Sequence, residues 1–392
     1  MRKYVLILIF TLNQALAQQL KIGVLRAYNI TDVLVSYHKG SYNVYGDSLK
    51  KHTILPTESV QIKRVGDKLN LIQGVRNLGY FDTIRIQETL PNHSFRIQGL
   101  KPYKIKERKY KNNLLLTTDE LKGIKIINEV EMPNYLAGVI ESEGGGGRHI
   151  EYYKVQAVLS RTYALGHLKK HIKEGFSLCD RVHCQAYHKM LTYTPTIQKA
   201  VLETKHIVMV DQNFKLANGF FFANCGGQTS ESDFVWNNPI PYCRSVRDTF
   251  CVHTKQAHWT KKIKKTEWEN YLVNHFGYPV KDSIWGALLY SFSQKQRKAF
   301  YQIPQLGIPL RDLRTHFKLK STWFDVYLEG NEVVLKGHGF GHGVGLCQEG
   351  AMKMSKYGYT YDKIIRFYFY GVYLLDYYKW LYFKQKYNSE VM

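Results

Sequence analysis

The stretch YLAGVIESEGGGGRHIEYYKVQAVLSR, from Tyr135 to Arg161, decides how the chain is read. Leu136, Val139 and Ile140 recur at helical spacing, so a short helix buries one face and carries Glu141 and Glu143 at its end. Two positions along a helix is a rotation of about 200°, so the two carboxylates face apart and at most one enters a given cleft. Gly144 to Gly147 cannot continue the helix cheaply, and such a run lets backbone approach a ligand. A second stripe, Val155, Val158, Leu159, Thr162, Leu165 and Leu168, predicts a buried helix over 151–174 that stops at Gly175 and sets Gln156 and Arg161 beside the acid. A single carboxyl at such a helix end suits general acid and base work, because desolvation raises its pKa toward working pH. Glu143 is the candidate, with Glu141 as competitor.

Upstream, residues 20–130 consist of short alternating runs such as Lys21-Ile22-Gly23-Val24-Leu25, broken by Gly, Asn, Asp and Pro. They predict a β-rich supporting part without a compact set of acids, histidines or cysteines. The first residues have the form of a secretion signal: Arg2 and Lys3, an apolar run from Val5 to Leu12, then Ala15-Leu16-Ala17. That run is too short to span a bilayer, and no later stretch is long and apolar enough, so the expectation is an exported protein with no transmembrane segment. Removing residues 1–17 takes the formal charge from +23 to +21, which attracts an anionic polymer or surface. Export argues against nucleic acid and for a wall polymer.

Downstream, Cys179, His183 and Cys184 follow the second helix, with His171 at its end. Thiolate and imidazole together suit zinc, and a Cys179–Cys184 disulfide is equally compatible with the spacing. Cys225, Cys243, Cys251 and Cys347 allow three disulfide pairings, or a thiol nucleophile in which Cys225 or Cys347 uses His338 or His342 as base. Helices are expected over 196–204, 266–275, 294–301, 348–357 and 361–369. Strands are expected over 206–210 and 216–223, with a hairpin of 323–328 and 333–336 around Gly330-Asn331. Residues 337–345 place glycine at every second position, which clears one face for a ligand or another backbone.

Five separated blocks, YLAGVIESE, KVQAVLSRTYAL, CDRVHCQAY, ANCGGQTSESDFVW and GHGFGHGVGLCQEGA, together resemble the stage II sporulation protein D (SpoIID/LytB) family of peptidoglycan lytic transglycosylases. The matches run from Tyr135 to about Gly358; with the readings above, the expectation is an α+β fold with a signal peptide over 1–17, a β-rich region over 18–130, a catalytic part with a glycan cleft over 131–375 and a basic aromatic tail over 376–392. The resemblance puts the catalytic glutamate at Glu143. It puts Gln156, Arg161, Gly226, Gly227, Thr229, His338, Gly339, His342, Gly343 and Gln348 around the cleft. It makes Cys179, His183 and Cys184, with His171 as fourth ligand, a structural zinc site, and implies no organic cofactor. The implied substrate is the peptidoglycan glycan strand, cut between N-acetylmuramic acid and N-acetylglucosamine with 1,6-anhydro ring formation, in the periplasm or at the cell wall. Some relatives instead enhance a cell-wall amidase, which makes such an amidase the alternative partner. The chain departs from the family pattern at Gly144, where methionine is common, and at Cys225 and Cys347.

Overall fold

The computed structural model describes residues 19–102, 104–120 and 123–390, with side chains as far as 385 in the last helix. The signal expected over 1–17 lies outside the described residues. The fold is α+β, as expected, and the chain divides into two compact units: residues 1–208 with 376–392, and residues 209–375.

The first unit holds two sheets. Seven strands run in the order Leu178–Cys179, Leu20–Gly23, Ile124–Val130, Asn113–Thr118, Thr83–Glu88, Tyr42–Gly46 and Leu49–Ile54. Six more run Arg108–Lys111, Ser94–Lys101, Asp32–Lys39, Ser59–Val65, Lys68–Gln73 and Arg76–Phe81. Alternation is plain in Ser59–Val65, where Val60 and Ile62 are fully buried between partly exposed neighbours. Helix α1 (Met132–Gly144) follows the strand Ile124–Val130 directly, with proline in its first turn and Leu136, Val139 and Ile140 buried. Helix α2 spans Ile150–Gly166 and α3 spans Pro195–Glu203.

The boundary expected near residue 130 is not where the compact units divide. A file of buried rings explains why. Tyr42 meets Phe95 at 5.6 Å between centroids, Phe95 meets Tyr110 at 6.2 Å, Tyr110 meets Tyr187 at 5.4 Å, and Tyr187 meets Tyr135 of α1 at 5.0 Å. The rings belong to both sheets, to a loop and to α1, so one core joins the β-rich region to the helix that carries Glu143. The sheet edge confirms the continuity: Gly23 pairs with Val130's strand on one side and with Cys179 on the other.

The second helix is shorter than its pattern. It ends at Gly166, where the entropic cost of glycine falls, and residues 167–171 form turns before a single 3-10 turn over Ile172–Glu174 that Gly175 closes at φ 87°. His171 is thereby freed from the helix. The residues read as a tail form a helix, Tyr377–Glu390, whose Tyr377 N–H donates to the His206 carbonyl at 2.8 Å. Among the described residues no helix is long and apolar enough to cross a membrane.

The second unit has a three-stranded sheet in the order His258–Lys264, Glu332–His338, Phe324–Glu329, backed by a core around Trp268, Tyr301 and Phe317. The expected hairpin, the helix Lys265–Phe276 and the helices Gln348–Lys356 and Tyr361–Tyr368 are present. Two expectations fail. The strand expected over 216–223 is only Phe221–Phe222, and residues 294–301 form no helix. Gln294 is buried there and donates to the Thr322 and Phe324 carbonyls, so bonds distant in sequence replace the helical ladder.

Of the glycines of 337–345, Gly339 and Gly345 lie against another backbone, and Gly337, Gly341 and Gly343 lie against side chains. Phe340 and Asn224 exchange backbone hydrogen bonds at 2.8 and 3.1 Å, and a Cβ on Gly339 (φ 78°) would lie 2.5 Å from the Asn224 carbonyl. Gly339→Ala should therefore cost about 2–5 kcal/mol, from left-handed strain plus overpacking. Urea unfolding would measure it; Gly330→Ala, at φ 59° with nothing nearby, should cost only the strain.

Candidate active site and a cysteine and histidine cluster

Glu143 is the next-to-last residue of α1, half-buried, and among the described residues it makes one hydrogen bond: the Ala186 N–H donates to its Oε1 at 2.8 Å. Its other oxygen makes no hydrogen bond among the described residues. Burial raises its pKa above the usual carboxylate range, and the Ala186 bond opposes that only in part. Glu141 faces the other way, as the helical rotation requires. Its oxygens accept backbone N–H bonds from Thr192 at 2.9 Å, Tyr193 at 2.9 Å and Thr194 at 3.1 Å. That carboxylate organises the loop leading into α3. Glu141→Ala should destabilise the protein by about 2–4 kcal/mol, because three donors lose a charged acceptor; chemical unfolding would test it, with Glu143→Gln as the mild control.

The loop after Glu143 needs its glycines at three points. Gly145 and Gly147 take φ of 65° and 73°, and a Cβ on Gly146 would stand 2.9 Å from Thr194 Oγ1. Tyr153 ties the loop to α2: its hydroxyl donates to the Gly145 carbonyl at 3.1 Å and accepts from the Arg148 N–H at 3.0 Å. Gln156 is fully buried in α2, and Arg161 donates to the carbonyls of Ile207 at 3.0 Å and Val201 at 3.2 Å. The donor beside Glu143 is thus a backbone amide, not either of the side chains expected there. A cleft of about 380 Å³ lies on the Glu141 side of α1, lined by Asn134, Ala137, Thr192 and Gln198 among others, and does not include Glu143.

Cys179 stands on the edge strand paired with Gly23, and His171, Cys179, His183 and Cys184 bring their ligand atoms within 4.8 Å of one another. Cys184 Sγ is 3.4 Å from His171 Nε2 and 3.9 Å from His183 Nδ1, and Cys179 Sγ is 3.9 Å from that same Nδ1. Glu174 hydrogen-bonds His171 Nδ1, which turns Nε2 toward the sulfurs. The Cys179 thiol is pushed down to about 4, chiefly by the hydrogen bond from the Cys184 thiol. Ala186, which holds Glu143, is two residues beyond Cys184.

A family model described as stage II sporulation protein matches residues 120–210, the segment that carries Glu143 and this cluster. That segment is similar to the stage II sporulation protein D family. The chain is 28% identical over 356 residues to an uncharacterized protein of Brachyspira hyodysenteriae, covering 89% of this chain and 92% of that one. It is 25% identical to the stage II sporulation protein D of Bacillus subtilis, over 62% of this chain and 74% of the relative. It is also 25% identical to the amidase enhancer of Bacillus subtilis, over 62% of this chain and 40% of that protein.

The other positions that the family resemblance marks lie in the second unit. Gly226 and Gly339 pack backbone to backbone, Gly227 is less crowded, and Gly343 lies against Arg297 and Ser230. Thr229 is buried, its hydroxyl accepting from the Val246 N–H at 2.7 Å. His338 sits between the rings of Trp323 and His258, and Gln348 opens the helix Gln348–Lys356. His342 has both ring nitrogens engaged, Nε2 with the Phe221 carbonyl at 3.1 Å and Nδ1 with the Val344 N–H at 3.1 Å. Burial pushes its pKa down to about 4. It is therefore not a free base for a thiol. Sequence reasoning missed Ala186 and Glu174, because a backbone amide has no residue signature and Glu174 shows only as an acid at i+3 from His171.

Proposed function

We propose that this protein cuts peptidoglycan glycan strands as a lytic transglycosylase, with Glu143 as the only acid and base. The observation that carries this reading is the contrast between the two acids of α1. Glu141 has spent both oxygens on backbone donors, while Glu143 is half-buried, raised in pKa and held through one oxygen, with the other open. Protonated Glu143 gives its proton to the glycosidic oxygen as the C1–O bond breaks. The resulting carboxylate takes the proton of the muramic C6 hydroxyl, whose oxygen bonds to C1 and closes the anhydro ring. No water is consumed. A hydrolase would need a second positioned carboxylate, and Asp180, one of the acids in the matched blocks, is occupied by the Leu25 N–H at 2.7 Å and by Arg108 at 3.0 Å. The basic surface suits an anionic wall polymer.

The same reading gives the cysteine and histidine cluster a zinc ion. Tetrahedral zinc separates its ligand atoms by about 3.3–3.8 Å, close to the spacings present. His171, Cys179, His183 and Cys184 would close the coordination sphere with protein ligands, so the ion would supply stability to the 179–186 loop and leave the proton transfers to Glu143.

Similarity to an amidase enhancer favours a second reading, a wall-binding protein that raises the activity of a cell-wall amidase. Mass spectrometry of denuded glycan strands after incubation separates the two. New 1,6-anhydro ends are expected; tight binding without new ends, together with a faster amidase, would replace the first reading with the second.

A further inference from the structure

The second unit contains a further group of buried ligands that neither the sequence motifs nor the family site accounts for. Cys225, Asp248, Cys251 and Cys347 come from three separate segments, are all fully buried, and bring their ligand atoms within 4.8 Å of one another. Cys225 Sγ lies 3.2 Å from both Cys251 Sγ and Asp248 Oδ2. We propose that these four side chains form a second zinc site, a closed centre of three thiolates and one carboxylate.

Two further observations point the same way. Backbone N–H groups aim at the sulfurs: Cys225 and Gly350 donate to Cys347 Sγ at 3.2 and 3.3 Å, and Gly227 donates to Cys225 Sγ at 3.4 Å. Such donors stabilise thiolate ligands, as outer-shell bonds do around metals generally. The Asp248 carboxylate is held from outside the group, its Oδ2 accepting from the Tyr368 hydroxyl at 2.8 Å and its Oδ1 from the Phe250 N–H at 2.9 Å. A buried carboxylate beside three sulfurs is costly unless a cation neutralises it. Zn²⁺ with three thiolates and a carboxylate carries a net charge of −2, and buried Arg297 stands next to it, its Nη2 donating to the Cys225 carbonyl at 2.8 Å. A disulfide between any two of the cysteines would leave the third thiol and the carboxylate unexplained. Three soft ligands with one hard one, in tetrahedral reach, select zinc over calcium or magnesium.

The site would staple the junction where the two glycine-rich blocks meet. Cys225 lies beside Gly226, which packs on Gly339, and Cys347 ends the strand that runs parallel to Phe221–Phe222. Its role is structural, because no coordination position is left open.

Metal analysis of the full chain, purified with zinc and freed of excess, tests the proposal. Two zinc ions per chain are expected. Cys179→Ser with Cys184→Ser should leave one, and adding Cys225→Ser with Cys347→Ser should leave none. Cobalt bound to the Cys179→Ser, Cys184→Ser chain should show a thiolate charge-transfer band that disappears with Cys347→Ser. Should these chains not fold, the wild-type protein still decides: denatured with chelator and no reductant, Cys225, Cys251 and Cys347 should all react with a thiol reagent. Peptide mapping that finds any two of these three linked, or a stoichiometry of one zinc that Cys179→Ser with Cys184→Ser abolishes, would overturn the second site.

Discussion

Glu143→Gln is expected to lower the release of 1,6-anhydro ends from denuded glycan by about 10²- to 10⁴-fold, the usual contribution of a positioned acid and base. The amide keeps an oxygen for the Ala186 N–H, so the helix end and its loop should stay in place. Stability gives an independent check. Because burial raises the Glu143 pKa in the folded state, the proton binds more tightly there than in the unfolded chain. That contribution to stability is fully present below the unfolded pKa and is lost as pH rises through the raised folded value. At neutral pH the ionised carboxylate therefore weighs against the fold, and the glutamine variant should be as stable as the parent or slightly more so. The advantage should vanish as pH falls below the ordinary carboxylate range. The rate of the parent enzyme should fall on the alkaline side, as the proton-donating form is depleted. Anhydro-end release by Glu143→Gln at the parent rate would move the chemistry to another acid or end the transglycosylase reading.

What the sequence made legible follows from which signals are local. The alternation of residues 20–130 announces strands because each strand has one buried face, and the helix periodicity around Leu136 and Val139 places Glu143 at a helix end. The separation of Glu141 and Glu143 onto opposite faces needed only the helical pitch. The unit boundary was not legible, because the ring file from Tyr42 to Tyr135 joins residues far apart in sequence and no composition shift marks it. The helix missing from 294–301 has the same cause: Gln294 and Arg297 satisfy distant carbonyls in place of a local ladder. Glycine alternation over 337–345 left two occupants open, a ligand or a backbone; at Gly339 the occupant is the Asn224 backbone. The cysteine and histidine cluster could be assembled from spacing because Cys179, His183 and Cys184 lie within six residues of one another, at the end of an edge strand and in the turn that follows it. The group around Asp248 could not, since its members are spread from 225 to 347 and an isolated aspartate carries no signal.

Taking zinc from the site proposed at His171, Cys179, His183 and Cys184 should loosen the first unit and reach Glu143 through Ala186. A zinc ion held there would tie the edge strand Leu178–Cys179, which pairs with Leu20–Gly23, to the turn that carries His171 and to the loop that follows. Farther along, that loop is pinned by Tyr135 to Gln185 at 3.2 Å and by Tyr187 to Asn128 at 3.0 Å. Between these two anchors, two residues past Cys184, sits Ala186, whose N–H holds the Glu143 carboxyl. A unit with its own core should survive the loss, so the cost falls well below that of a zinc finger, about 3–5 kcal/mol, or roughly 10 °C in Tm at 2–4 °C per kcal/mol. Cys184→Ser reports on this cluster alone, which a chelator does not. Its Tm should fall by that amount, and the rate should fall with it, most steeply at temperatures where the loop loosens before the sheets melt. An unchanged Tm with zinc absent and Cys179 linked to Cys184 would replace the metal with a disulfide. Activity lost on chelation at constant Tm would mean that the ion takes part in the reaction, and a single glutamate would no longer suffice.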